Sequence, residues 1–201
     1  MSPAREIMAV PPGKIAAIVT SLDMLRVPAP QPEPPNAGWA LRRVEQPDPA
    51  WFRDLFRRIG ENWMWFSRLA LSDAALSAII HDPAVEVYPL EAGGEDAGLL
   101  ELDFRVPGEC ELSYFGLAPR LIGSGAARWL MNRAIERAWS RPISRFWVHT
   151  CTYDHPNALP FYLRSGFRAF RREVELSDDP RLTGVMPRGT TPHIPIIAES
   201  P

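Results

Sequence analysis

Cysteine is scarce: Cys110 and Cys151 are the only two in 201 residues, too few for a disulfide scaffold, and a reduced, cytoplasmic setting is expected. No apolar run approaches the roughly 18 residues that a membrane-spanning helix needs, so no membrane partner is expected. The opening MSPAREIMAVPPGK lacks a basic cluster followed by a hydrophobic stretch, and is not expected to act as a secretory leader. Positive charge is not in excess either. Lys and Arg number 22 against 24 Asp and Glu, a net charge of −2, which offers no bulk attraction to nucleic acid.

What is present fits one globular domain with tails: 46% apolar and 23% charged residues over a length able to bury a core. Eight of the 22 prolines precede residue 37, and five fall in PAPQPEPP, Pro28 to Pro35, an extended connector. Before it, KIAAIVTSLDM (Lys14 to Met24) reads as a strand separated from the main body. Residues 1–38 are therefore expected to be an N-terminal strand and connector, and 39–176 the main domain. Residues 177–201, with five further prolines, are expected to form an arm that is either loose or irregularly packed.

In the main domain, WALRRVE reads as a strand. Asp48 and Pro49 open a helix whose Phe52, Leu55, Phe56 and Ile59 make one apolar stripe. Ser72 opens a second, shorter helix. AVEVYPLEA, AGLLELDFRV and ECELSYFGL follow as strands, the last two joined by a turn at Pro107-Gly108. A helix from Ser124 to Trp139 places Ala127, Leu130, Met131, Ala134 and Ala138 on one face. The strand SRFWVHTC, a short helix in HPNALPFYLRSG and the strand FRAFRREVEL complete the order. This predicts an α/β (α+β) fold, a mixed sheet flanked by helices.

A second absence is local. Leu112 to Ile135 holds no acidic residue in 24 positions, yet contains Arg120, Arg128 and Arg133. Arg128 falls in the first turn of a helix, where the macrodipole disfavours a cation. Gly123 and Gly125 just before it let the backbone approach an anion and aim N–H groups at it. An anionic ligand resolves both features, although paired glycines also serve an ordinary tight turn.

LAPRLIGSGAARWLM resembles the acyl-CoA loop of the GNAT N-acetyltransferase superfamily. Leu117-Ala118-Pro119 matches the strand end, and Gly123, Ser124, Gly125, Ala126 and Ala127 match the pyrophosphate loop. Ile122 stands where the family carries Arg or Gln, a departure that Arg120 could offset in a shifted register. NALPFYLRSGF resembles the family's second signature through Asn157, Phe161, Tyr162, Gly166 and Phe167. The resemblance covers Leu99 to Glu175 and implies a mostly antiparallel sheet, with a V-shaped splay between the fourth and fifth core strands.

By that resemblance, acetyl-CoA is the co-substrate, and no metal is expected. Its pantetheine arm would pair with the strand ending at Leu117, and N–H groups near Phe115 and Leu117 would stabilise an oxyanion. The cofactor-binding candidates are Phe115, Leu117, Ile122, Gly123, Ser124, Gly125, Ala126, Ala127, Arg128, Asn157 and Phe161. Tyr162 is the expected proton donor to the thiolate. A two-residue turn at Pro107-Gly108 would set Glu111 opposite Phe104, beside Leu102 and Phe115, where a carboxylate suits proton abstraction. Glu101 and Asp103 are alternatives for that base. Trp63, Trp65 and Phe66 serve as core or as a wall of the acceptor pocket, while His149, Cys151 and His155 read as packing or pocket lining. The expected activity is acetyl transfer to a primary amine of a small molecule or peptide. A longer acyl donor, a weakly catalytic CoA sensor and a homodimer all remain open.

Overall fold

Helix starts follow the capping residues. Asp48 accepts from the N–H groups of Ala50 and Trp51, both at 2.9 Å, and opens α1 (Pro49–Gly60). Ser72 accepts from Ala75 N–H and opens α2 (Asp73–Ile80). The computed structural model describes residues 6–198, so the ends of the N-terminal segment (1–5) and of the C-terminal arm (199–201) lie outside the described residues.

Seven strands form one sheet: β1 (Lys14–Met24), β2 (Ala40–Leu41), β3 (Val85–Ala92), β4 (Glu95–Asp103), β5 (Glu109–Leu117), β6 (Arg145–Cys151) and β7 (Arg168–Asp178). Their order is β2-β3-β4-β5-β6-β1-β7, and every neighbouring pair is antiparallel except β5 and β6. Gly93 and Gly94, both at positive φ, make the two-residue β3–β4 turn that matches strand twist. On one face α1 and α2 cover Val85, Val87 and Leu99. On the other, α3 (Ala126–Ala138) and α4 (Ala158–Arg164) contribute to a cluster around Leu100, Leu102, Leu112, Phe146 and Val148.

The parallel β5–β6 pairing lasts only from Glu109↔Arg145 to Glu111↔Trp147. Beyond it the strands part, and a bulge in β5 at Ser113 accompanies the separation: Tyr114 faces Glu101 while Leu112 faces Leu102. This is the expected splay, opened between β5 and β6.

Three expectations are corrected. First, β1 is not separate from the main body. It lies inside the sheet, paired with β6 from Val19↔Cys151 to Met24↔Phe146 and with β7 from Lys14↔Asp178 to Asp23↔Arg168. Second, Glu111 lies opposite Asp103, not Phe104. Glu109 N–H bonds to Val106 C=O around Pro107 and a Gly108 at φ 77, a type II pattern that does not match hairpin twist, so a five-residue loop replaces the two-residue turn. Third, α3 begins at Ala126, because Gly125 at φ 91 is its left-handed N-cap.

The arm after β7 packs without regular structure. Arg181 bonds Asp179 and donates to the carbonyls of Thr190, Thr191 and Ile194, while Met186 packs with Ile15 and Met64. The proline-rich connector lies along α3: Gln31 C=O accepts from Asn132, Glu33 pairs with Arg133 at 2.5 Å, and Pro34 abuts Gly125.

Candidate active site

One cleft of about 910 Å³ runs through the splay, and its two ends differ in chemistry. At the start of α3, the N–H groups of Gly123, Gly125 and Ala127 make no hydrogen bond among the described residues. Ala126 N–H is the exception, bonded to Ser124 Oγ at 3.2 Å. Three unbonded donors at the start of a 13-residue helix are a chemistry able to receive an anion. Arg128 reaches into the cleft beside them, donating to Ser165 Oγ at 3.0 Å and lying over the Phe161 ring at 4.9 Å. No carboxylate pairs with it among the described residues, and burial pulls its pKa down. Arg164, which sequence reasoning missed, lines the same end.

The other two arginines of the acid-free window are engaged elsewhere. Arg120 donates to Glu95 at 3.0 Å and to Ala92 C=O, and Arg133 holds Glu33. Arg120 therefore does not take the place of the Arg or Gln that Ile122 replaces, and Ile122 itself lines the cleft.

Midway, Phe115 stacks on Phe161 at 5.8 Å, and Tyr162 packs edge-on against Phe115, Phe161 and Phe167. Tyr162 is 7% exposed, and its hydroxyl bonds to no described residue. Burial pushes its pKa far up, so it stays protonated. The backbone on the other wall is also placed. Ala118 N–H bonds to Ala97 C=O, toward β4, so strand alternation turns the N–H groups of Leu117 and Phe115 toward the splay.

The far end gathers carboxylates and aromatic rings. Glu111 Oε1 lies 3.6 Å from His149 Nδ1, in ion-pair range. That carboxylate raises the pKa of His149 against the opposing effect of burial, and Asp154 and Glu175 add to the rise. The two alternatives to Glu111 are held in ion pairs. Glu101 is fully buried against Arg68 at 2.6 Å, and Arg105 grips both oxygens of Asp103 and lowers its pKa. Trp63, Trp65 and Phe66 line this end, with Trp63 edge-on to His155 at 5.0 Å. His155 Nδ1 accepts from Asn157 N–H, so the backbone of Asn157 orders this loop while its side chain makes no helix cap. Burial pushes the Cys151 thiol up to about 11, which keeps it un-ionised near neutrality.

Nine of the eleven cofactor-binding candidates line the cleft, together with Tyr162 and Glu111; Ser124 and Ala126 do not. Ser124 instead bonds within the loop, and Ala126 is buried as the first residue of α3. Sequence reasoning missed the Glu111–His149 contact and Asp154. It also missed Ala17, Glu175 and Ser177, carried in by β1 and β7. The strand character of β1 was legible, but no local pattern names its neighbours. Among the described residues, no group of three or more His, Cys, Asp or Glu is arranged to hold a metal ion.

Residues 45–167 match the model of the acetyltransferase (GNAT) family. No curated protein matches the chain significantly. Among solved structures, a putative GNAT-family acetyltransferase from Novosphingobium aromaticivorans superposes with a TM-score of 0.55 at 20% identity, over 87% of this chain and 71% of that one. A GCN5-related N-acetyltransferase from Sphaerobacter thermophilus gives 0.58 at 14% identity, over 84% of this chain but only 53% of that longer protein. An aminoglycoside acetyltransferase from an uncultured soil metagenomic sample, in complex with sisomicin, gives 0.52 at 12% identity, over 64% of this chain and 87% of that one. At these identities the likeness is one of fold.

Proposed function

Since the chain belongs to the acetyltransferase (GNAT) family, we propose that it transfers an acetyl group from acetyl-CoA to a primary amine of a small molecule or peptide. The observation that carries this reading is the pairing of two ends in one cleft. Unbonded amides and Arg128 suit a pyrophosphate at one end, and a Glu111–His149 pair suits an amine at the other. The distance from phosphate loop to base is filled by Phe115, Phe161 and Tyr162, an apolar passage suited to a pantetheine arm.

Each residue then has a task. Gly123, Gly125 and Ala127 hold phosphate oxygens through backbone N–H groups, and Arg128 adds charge. Glu111 and His149 act as one proton-accepting pair for the ammonium, so that a neutral amine attacks the thioester carbonyl. The splay-facing amides of Phe115 and Leu117 stabilise the charge developing on that oxygen. Tyr162, protonated and unbonded, gives its proton to the departing thiolate. Trp63, Trp65, Phe66, Asp154 and Glu175 select the amine's body, a mix of rings and carboxylates that favours a cationic acceptor. No described helix is long and apolar enough to cross a membrane, and both cysteines are free thiols; a cytoplasmic setting goes with this reading.

Ile122 supports a second reading, a CoA-binding sensor with little turnover, because the loop lacks a polar side-chain contact there. Release of free thiol from acetyl-CoA across a panel of amines separates the two. Steady release with at least one amine is expected. Calorimetric binding of CoA with no release above the uncatalysed rate would leave the sensor, and no binding at all would remove both.

A further inference from the structure

The open edge of the sheet is a feature that acyl transfer does not use. β7 pairs with β1 alone, and no described residue bonds to its other side. Every residue of β7 is exposed except the half-buried Ser177. Eleven residues of open edge extend about 36 Å at roughly 3.3 Å per residue, and such an edge is a template for another strand.

Its charges are ordered along the strand. In RAFRREVELSD, Arg168, Arg171 and Arg172 occupy the first half, and Glu173, Glu175 and Asp178 the second. Two copies laid antiparallel put the basic half of each against the acidic half of the other. Parallel copies would put like against like. This match survives a shift of register by a residue pair or so, because it depends on halves rather than on single contacts. Arg171 and Glu173, now paired along their own strand at 2.9 Å, would exchange that contact for one across the interface. An apolar strip runs beside the charges: Val174 and Leu176 are 53% and 46% exposed, and Val174 lies across the ladder from Ile18, itself 47% exposed.

We propose that the β7 edge is a homodimer interface whose occupant is β7 of a second copy, antiparallel, joining the two sheets into one. An isologous contact of this kind has its two-fold axis normal to the sheet, so both clefts open on the same face. Glu175 and Ser177 lie on β7 and line the acceptor end, which places each partner beside the other's acceptor mouth. The interface does not depend on the proposed chemistry.

Sedimentation equilibrium of the full chain at low salt tests it, with two opposite charge reversals. Arg171→Glu with Arg172→Glu makes the edge acidic, and Glu173→Arg with Glu175→Arg makes it basic. The parent should be a dimer that weakens as salt rises. Each reversed chain alone should be monomeric, and an equimolar mixture of the two should recover the dimer. Circular dichroism reports whether each chain folds, and Val174→Lys, which interrupts the apolar strip, serves should either reversal fail to fold; it too should be monomeric. A parent that stays monomeric at tens of micromolar overturns the proposal, since the charges would then be guarding the edge against association. So does a dimer that survives both reversals, or Val174→Lys.

Discussion

Tyr162 and His149 show how much one side chain's surroundings decide. The Tyr162 ring is locked by Phe115, Phe161 and Phe167, yet its hydroxyl has no partner among the described residues. Tyr162→Phe therefore removes a proton donor and little else. Thiol release should fall about 10²-fold, within the range of general-acid contributions, with CoA affinity and melting temperature unchanged. A parental rate in this variant would reduce Tyr162 to packing. For His149 the sign follows from its neighbours. Glu111, Asp154 and Glu175 raise its folded pKa above the unfolded value of about 6.5, so the stability it contributes is present below that pH. That contribution is lost as pH climbs through the raised value. In the proposed mechanism activity runs the other way, because the pair would accept a proton only once His149 is neutral. The acid limb of kcat/KM should accordingly lie above pH 6.5 or so. Glu111→Gln should lower the plateau and move that limb toward acid. A limb that stays in place would assign the proton to solvent.

At the scale of an element, the start of α3 separates two glycines that look equivalent in sequence. Gly123 and Gly125 both sit at positive φ, at 82° and 91°. A Cβ on Gly125 would come within 2.4 Å of Pro34 in the connector, whereas one on Gly123 would meet nothing within 4 Å. A bulky substitution at Gly125 would thus disturb the connector together with the amides. Gly123→Ala isolates the loop, since its main cost is left-handed backbone, roughly 1–2 kcal/mol. We expect a cooperative melt a few degrees lower and a CoA Kd raised about tenfold, equivalent to ~1.4 kcal/mol. An unchanged calorimetric Kd would move the phosphate away from this loop.

At the scale of the molecule, β1 holds the second half of the sheet together. It stands between β6 and β7, which have no contact as neighbours without it, and it carries Ala17 into the cleft. Removing residues 1–38 would expose Phe146 and Val148 at a bare edge and leave β7 unpaired. The truncated chain should lose its cooperative thermal transition, followed by circular dichroism, although the matched family region begins only at residue 45. A truncated chain that melts cooperatively near the parental temperature would mean that β1 is dispensable to the sheet.

Local order was legible at the starts of α1 and α2, where short-range chemistry dictates it, but not at the Pro107-Gly108 turn. Asp48 and Ser72 announce helix starts because their side chains reach N–H groups two or three residues on, and Gly123 and Gly125 mark a left-handed turn at a helix start. The acid-free window likewise pointed to Arg128, since a helix end senses nearby charge. Partners distant in the chain were not legible. Arg120 and Arg128 share that window, yet one is claimed by Glu95 and the other faces the cleft. Glu111 found its place through a five-residue loop, and His149 lies beside it where two strands part after three residue pairs. A strand's pattern records that one face is buried and not which strand lies beside it. The place of β1 between β6 and β7, and with it one wall of the cleft, was therefore decided by the packing of the whole sheet.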